Sequence, residues 1–519
     1  MYDVQQIDVD VLFQKQKNIY TKVQLLNSDF TVSDEIQGVV TSGSLKVSSE
    51  SDIRRTIEMT ILVKNRGYIV AEDSRIWANK YIRVYIGYYV IRTKEIRWYP
   101  VGVFMFNENN YVYNSTTREL QMSCVDLVGT LDGTLSGQLV GLETQVKEGE
   151  SIRNVIMRTV TQLGGVQRYS ITYQNSEVPY DMSWDTGASV WEILTELRDL
   201  YYSYEMFFDE DLFVCQRVPM NNQEPVILTS DVMNRLVIDE SLDNSFSDVR
   251  NIVEIWGDST RADYYSESVS FSGTTYTINV ENVNLTSGRK ISFIAPNSNP
   301  ANTKIYISSK NSDGQTKTFG PFLLYRGSVD ENGADIVAQK GIIEKGKYYV
   351  VKLGKEKVYF VGQTQIHALA KLVDKLPTAA EAAADKVAEN CDNIGYIVNP
   401  ESPFTVQKLG RKVKVLSGSD CGGISTDELA LERAEYEIYK RARLTDHISL
   451  QMILIPWLDV NKKVEYIPYS KLDNEVYQYI VSEIEMSFTE GTMNVTMSRF
   501  YPFYPNTVQL VDTSTITGG

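Results

Sequence analysis

The stretch Tyr81-Ile82-Arg83-Val84-Tyr85-Ile86 alternates with a period of two and is β-branched or aromatic at most positions. A chain built on such segments folds as strands with one buried face. Val101–Phe106 reads the same way. Tyr111-Val112-Tyr113, a turn at Asn114-Ser115 and the run Glu119–Val125 predict a hairpin whose Leu120, Met122 and Cys124 share one face. Short strands with polar turns predict a small barrel or sandwich over residues 1–140.

The period then changes. Ile152, Val155, Ile156, Val160 and Leu163 fit one helix face, with Gly164-Gly165 as the stop. Ser189 and Glu192 form a capping-box pattern. Behind it, Val190, Ile193, Leu194, Leu197, Leu200, Tyr201 and Tyr204 make an apolar stripe. Met206–Val214 returns to strand, so residues 145–240 read as an α+β domain. Asn251–Trp256 is a further strand.

Composition shifts to Ser, Thr, Asn and Gly over 268–365, with strands near Thr275–Val280, Lys304–Ser308 and Tyr348–Leu353; this reads as an inserted, β-sandwich-like domain. His367–Asn390 is Ala-rich and reads as helix interrupted at Pro377, within a connecting region of 366–444. A helix opened by a Ser425–Glu428 capping pattern follows, with Leu431, Ala434, Ile438 and Ala442 on one face. Strands are predicted at Ile448–Ile455, Lys463–Tyr466, Tyr477–Ser482 and Thr492–Ser498. Residues 241–265 and 445–505 together read as a second barrel, and 506–519 as a flexible tail.

The 519 residues carry a net charge of -16, which disfavours holding nucleic acid through its phosphates. With 33 Tyr against 2 His, the chain favours strands and contact surfaces over histidine-based proton transfer. Cys124, Cys215, Cys391 and Cys421 make no CxxC pair or zinc spacing and read as reduced, with Cys124 and Cys215 in apolar runs. The N-terminus lacks a basic region before an apolar run, and no stretch approaches 18 apolar residues. Synthesis and folding in a cytoplasm are therefore expected.

No GxGxxG, Walker A, GxSxG or HExxH pattern occurs. His367 and His447 stand alone. Asp209-Glu210-Asp211 sits between Phe208 and Leu212 and reads as a hairpin turn. Asp459-Val460-Asn461 lacks the rest of a calcium loop and also reads as a turn. The expectation is a non-enzymatic protein with no catalytic, cofactor-binding or metal-binding residues and no cofactor.

Ser51-Asp52-Ile53-Arg54-Arg55-Thr56 before the strand Ile57–Val63 resembles the opening of phage tail hub proteins. Trp77, Tyr81–Ile86 and then Ile96-Arg97-Trp98-Tyr99-Pro100-Val101-Gly102-Val103-Phe104 follow in that family's order, with Asp126 after the hairpin. At the far end, the helix Glu428–Arg443, then Ile455-Pro456-Trp457-Leu458-Asp459-Val460-Asn461, Glu483-Ile484 and Gly491-Thr492-Met493-Asn494-Val495 resemble the closing strands of such hubs. The resemblance covers about 1–257 and 395–500. Residue by residue, Arg54 and Arg55 also fit a polar face beside a core strand, and Trp98 and Trp457 fit core aromatics.

The resemblance implies tail-tube-like β-barrel domains in a homotrimeric baseplate hub at the virion tail tip. Such a ring terminates the tail tube, joins it to a central spike, fibre or other tail-tip proteins, and leaves a channel for DNA ejection without binding DNA specifically. Against the family's longer members, a C-terminal fibre or peptidase extension is expected to be missing. Two alternatives stand beside it: a receptor- or carbohydrate-binding tail protein acting through the insert, and a tail-associated cell-wall hydrolase.

Overall fold

The computed structural model describes residues 3–513 except 37, 65–66, 72–73, 114–115, 142–143, 148, 174–176, 179–181, 201–203, 223, 258–261, 311–313, 330–334, 364–365, 418–420, 422–423, 425, 472 and 504–506. The turn at Asn114-Ser115, Tyr201, Ser425 and, of the 506–519 tail, residues 506 and 514–519 lie outside the described residues.

The alternating segments become β1 (Ile19–Leu26), β2 (Val32–Glu35), β3 (Gly38–Ser48), β4 (Arg55–Val63), β5 (Tyr81–Val90), β6 (Glu95–Tyr113) and β7 (Arg118–Asp126). They run in the order β3-β4-β7-β6-β5-β1-β2. At β3 the sheet continues into the far end of the chain, through Tyr477–Ser487, Thr492–Arg499, Thr445–Ile453 and Val237–Ser245. The result is one thirteen-stranded sheet, curled into a nearly closed barrel around a single apolar interior. Leu45, Ile57, Met122, Ile484, Val495 and Leu450 all point into it.

Period-two alternation leaves the other face polar, and the pairing registers align it into cross-strand rows. One row is Ser123–Glu58–Ser44. A second is Lys46–Glu485–Asn494–Gln451–Asp239, and a third Ser48–Glu483–Thr496–Ser449–Ser241. A shallow depression between β3, β4, β6 and β7 is lined by Glu58, Thr60, Asn109, Gln121 and Ser123 among others.

The α+β unit packs Ile152–Arg158 and Val190–Asp199 against Tyr204–Asp209 and Leu212–Arg217. Ser189 caps the second helix by accepting from Glu192 N at 3.0 Å, and Glu192 reaches back. That helix ends at Asp199, so Tyr204 belongs to the strand, where its ring stacks on Tyr173 at 3.9 Å.

Three expectations are corrected. His367–Val373 is a strand, and only Ala379–Glu389 is helical. The run His-Ala-Leu-Ala-Lys-Leu-Val is buried on both faces as a central strand, and without alternation such a run fits either state. Ile252–Trp256 pairs with His367–Val373 and Val413–Leu416, not with the strands from Ile448 to Ser498. The strand that joins those is Val237–Ser245, whose polar residues hid its edge position. Part of the tail is ordered too: Val508–Leu510 pairs with Ile394–Val398.

These central strands form a five-stranded sheet between two helices. Asp427–Arg441 covers one face through Ala430, Ala434 and Ile438. Its cap is Thr426, which accepts from Leu429 N at 3.3 Å. Ala379–Glu389 covers the other face. The buried Lys371 ammonium reaches Asp385 at 3.0 Å and Glu389 at 2.9 Å there, and a bond from Arg411 helps hold Glu389 at about 2.

The insert leaves from adjacent positions of one antiparallel pair. Trp256 faces His367, and Gly257 N–H donates to Ile366 O at 3.0 Å. Its strands, from Tyr264–Ser266 to Val358–Gln363, enclose their own core of Tyr276, Ile291, Phe293, Ile307 and Tyr349. Lys347 of the insert pairs with Asp427 at 2.8 Å.

Two outcomes follow from these contacts. Replacing residues 258–365 by two glycines should give a soluble protein that still unfolds cooperatively; aggregation of that variant would show that the insert completes another core. Leu450→Asp should abolish folding, because Leu450 is 1% exposed and an unpaired buried carboxylate costs several kcal/mol, roughly 3 or more. A wild-type melting curve would contradict that burial.

Candidate functional site: a buried ionic junction

Arg54 and Arg55 stand where β3 returns into β4, with Ser48 N–H bonded to Arg54 O at 2.9 Å. The Arg54 guanidinium meets Glu205 Oε2 at 2.6 Å, donates to Val460 O at 3.1 Å and lies 3.8 Å from the Phe207 ring centre. The Arg55 guanidinium donates to Phe208 O and to Asp459 Oδ2, each at 2.6 Å. Both arginines are buried, so neither forms the exposed polar face that fits the sequence.

The anions are held from several sides. Glu205 also accepts from Gln216 Nε2 at 2.7 Å and from Asn461 Nδ2 at 2.6 Å. Asp126 accepts from Arg55 N at 2.9 Å and Val128 N at 3.0 Å, so it caps the short helical turn Leu127–Thr130. Burial pushes Asp126 up to about 6, against the pull of those two amides. Burial acts upward on Asp459 too, but the guanidinium groups of Arg55 and Arg54 outweigh it and hold the carboxyl at about 2. Asn461 turns the chain with φ 56°, a conformation Asn tolerates. Gly102 has φ 150°, and a Cβ there would sit 2.9 Å from the Phe104 ring.

The junction therefore joins β4, the end of β7, the α+β unit and the loop 459–461. It brings together Arg54, Arg55, Asp126, Asp459 and Asn461, which the sequence places at opposite ends of the chain. Trp457 packs in the barrel core. Trp98 does not: its indole lies over Gly87, with the Lys22 ammonium 4.6 Å from the ring centre. Glu205 is the member that sequence reading missed. Its signal is a lone carboxylate inside Tyr-Glu-Met-Phe-Phe, where a strand buried on both sides demands a cationic partner.

The remaining candidates lie apart from this junction or at its rim. Asp209-Glu210-Asp211 is the hairpin turn, with Glu210 at φ 53° and bonded to Arg83 at 2.8 Å. His367 stacks on Trp256 at 3.7 Å and bonds Glu254 at 2.8 Å. His447 Nδ1 meets Ser498 Oγ at 3.1 Å, and Asp243 lies across from His447 in register. All four cysteines are buried, and burial pushes Cys124, Cys215 and Cys391 up to about 12.

Residues 401–504 match a family model described as a domain of unknown function, DUF5048. No curated protein matches the sequence. Among solved structures, the tail protein of Neisseria meningitidis MC58 is similar at 9% identity and a TM-score of 0.46, over 92% of this chain and 96% of that one. The 43 kDa tail protein of prophage MuSo2 from Shewanella oneidensis is similar at 12% identity and a TM-score of 0.43, over 93% and 98%. A third is an Escherichia coli component of the type VI secretion system, described as structurally similar to T4 bacteriophage tail proteins gp27 and gp5. It is 6% identical over 94% of this chain and 77% of that one, with a TM-score of 0.36.

Arg55→Met should cost about 3 kcal/mol at pH 7 in urea unfolding, because it leaves Asp459 with only the longer 3.6 Å contact to Arg54 and leaves the Phe208 carbonyl without its guanidinium donor. The sign of the pH effect follows from the depressed Asp459 carboxyl. Its contribution is present above the ordinary carboxylate pKa of about 4 and is lost as pH falls through about 2. Melting of the wild type should therefore fall more steeply than that of Arg55→Met between pH 4 and pH 2. Parallel curves would show that the pair contributes nothing there.

Proposed function

We propose that this chain is a tail-tip hub: a structural, non-enzymatic protein that forms a homotrimeric ring at the end of a tail tube. In this reading the ring contacts a tail-tube or distal tail protein above and a spike, fibre or other tail-tip protein below, and DNA crosses its channel during ejection. It resides in the virion at the tail tip and is assembled in the host cytoplasm.

The observation that carries the reading is the polar face of the large sheet. It spans strands from both ends of the chain and carries Glu58, Glu483, Glu485 and Asp239 against Lys46. A wall of small polar and acidic side chains suits a channel that passes a polyanion without retaining it, since like charges repel. Two further features support it. The motifs that resemble hub proteins meet in the buried junction. Also, the sheet ends in the edges β2 and Val237–Ser245, and edges of this kind are covered in stable assemblies.

A trimer matches a six-fold tube if each chain supplies two tube-like halves. One is centred on β3-β4-β7-β6-β5 and the other on the strands from Thr445 to Arg499. Superposing the halves should align most of their strands. Light-scattering mass of the assembled protein should correspond to three chains, and a stable monomer within the particle would sink the reading. Replacing Glu483 and Glu485 together by Lys should leave particles that assemble but eject DNA more slowly, with the delay relieved by added salt. Ejection at the wild-type rate would remove this face from the channel.

A further inference from the structure

Among the described residues, the strands of the insert pair only with one another, and its apolar core is built from its own side chains. The chain enters the insert after Gly257 and leaves it before Ile366, and the Gly257 N–H donates to Ile366 O at 3.0 Å. Just inside the body, Trp256 stacks on His367 at 3.7 Å, which fixes the two crossings side by side. Two adjacent crossings without a shared core form a hinge, and a domain on such a joint moves unless another contact holds it.

That contact is ionic. The Lys347 ammonium of the insert meets Asp427 at 2.8 Å, and among the described residues this is the ion pair that spans the joint. Each partner is fixed within its own unit. Ala295 N–H donates to Lys347 O at 3.0 Å inside the insert. Asp427 opens the helix Asp427–Arg441 and accepts the His367 N–H at 3.3 Å, beside the hinge.

Each partner also has somewhere to go when the pair parts. Lys347 keeps Glu344, a half-exposed carboxylate of the insert, 3.2 Å away. Asp427 keeps the His367 N–H and a place in the first turn of a helix, where an anion is favoured. Lys347 is itself a quarter exposed, so water reaches the ammonium. Opening this pair therefore strands no buried charge. The Arg54–Glu205 pair, buried on both sides, has no such freedom.

We propose that Lys347 and Asp427 form a releasable latch, and that the insert is a hinged domain, docked when the pair is closed and swung about Gly257 and Ile366 when it is open. The proposal does not depend on the hub reading, because it concerns only how two parts of one chain are held. A pull on the insert, or a partner bound to it, is passed to the body as the breaking of one bond at the start of the helix Asp427–Arg441.

The test measures a distance in the full chain by pulsed electron resonance. Spin labels are placed through ketone-bearing residues, which leaves the buried cysteines untouched. One label replaces Val387, which is 84% exposed on the body. The other replaces the exposed Lys355, beyond the strand Tyr348–Leu353 and roughly 20 Å along it from Lys347. The wild type should give one narrow distance distribution. Lys347→Met should raise the swung population about tenfold, seen as a second, broad component. Asp427→Asn keeps an acceptor for the His367 N–H and should do the same. Lys347→Arg keeps the charge and should stay narrow. All three should keep the wild-type circular dichroism and melting curve. Narrow distributions in both neutral variants would show that other contacts dock the insert, and a broad one in the wild type would show that nothing latches it. A lower melting temperature for Lys347→Met would make the pair part of the fold. Any of these three results overturns the proposal.

Discussion

The geometry of this protein rests on two adjacent guanidinium groups that converge on Phe207 and Asp459 from one strand start. Arg54 reaches the α+β unit through Glu205, and Arg55 reaches the closing loop through Asp459. The Arg55 backbone N–H fixes Asp126, and Asp126 in turn caps the turn that leads into the α+β unit. Segments hundreds of residues apart are thereby set in one orientation. The apolar interior of the barrel cannot do this alone, because hydrophobic contact has no direction.

Around that junction the sheet divides its labour by side-chain parity. Inward residues such as Met122, Ile484 and Leu450 close one continuous core, so a register slip of one residue would expose the whole set. Outward residues then become free to differ between regions of the same sheet. Over β3, β4 and the strands from the far end they are small, polar and acidic. Over β1, β5 and β6 they are aromatic, with Trp98 lying flat on Gly87 beside Lys22 and Tyr85. The absence of a Cβ at Gly87 permits this; a methyl group there would come within 2.7 Å of the indole.

Much of this was legible in the sequence where periodicity is unambiguous. Tyr81–Ile86, the hairpin ending at Val125, and the Ser189 capping box all lie where the alternation and the cap put them. Legibility failed where pattern and environment part. His367–Val373 has no polar face to betray a strand, and Val237–Ser245 is an edge strand too polar to look like one. The junction was half legible. Arg54, Arg55, Asp126 and Asp459 are marked by the family resemblance, but no spacing rule connects Arg54 to Glu205. That pairing exists only after the α+β unit docks.

A buried ion pair is a poor source of net stability, because removing two charges from water costs about as much as their attraction returns. Its value is intolerance. If the α+β unit rotated or shifted slightly on the barrel, Arg54 would lose Glu205, leaving the guanidinium with Val460 O and a 3.6 Å contact to Asp459 and the carboxylate with the Gln216 amide. An apolar interface of the same size would accept such a shift at little cost. The junction therefore narrows the set of arrangements that the two units can adopt far more than it deepens their attraction. In the proposed ring, this rigidity limits how far an angular error at one junction is carried to the next interface.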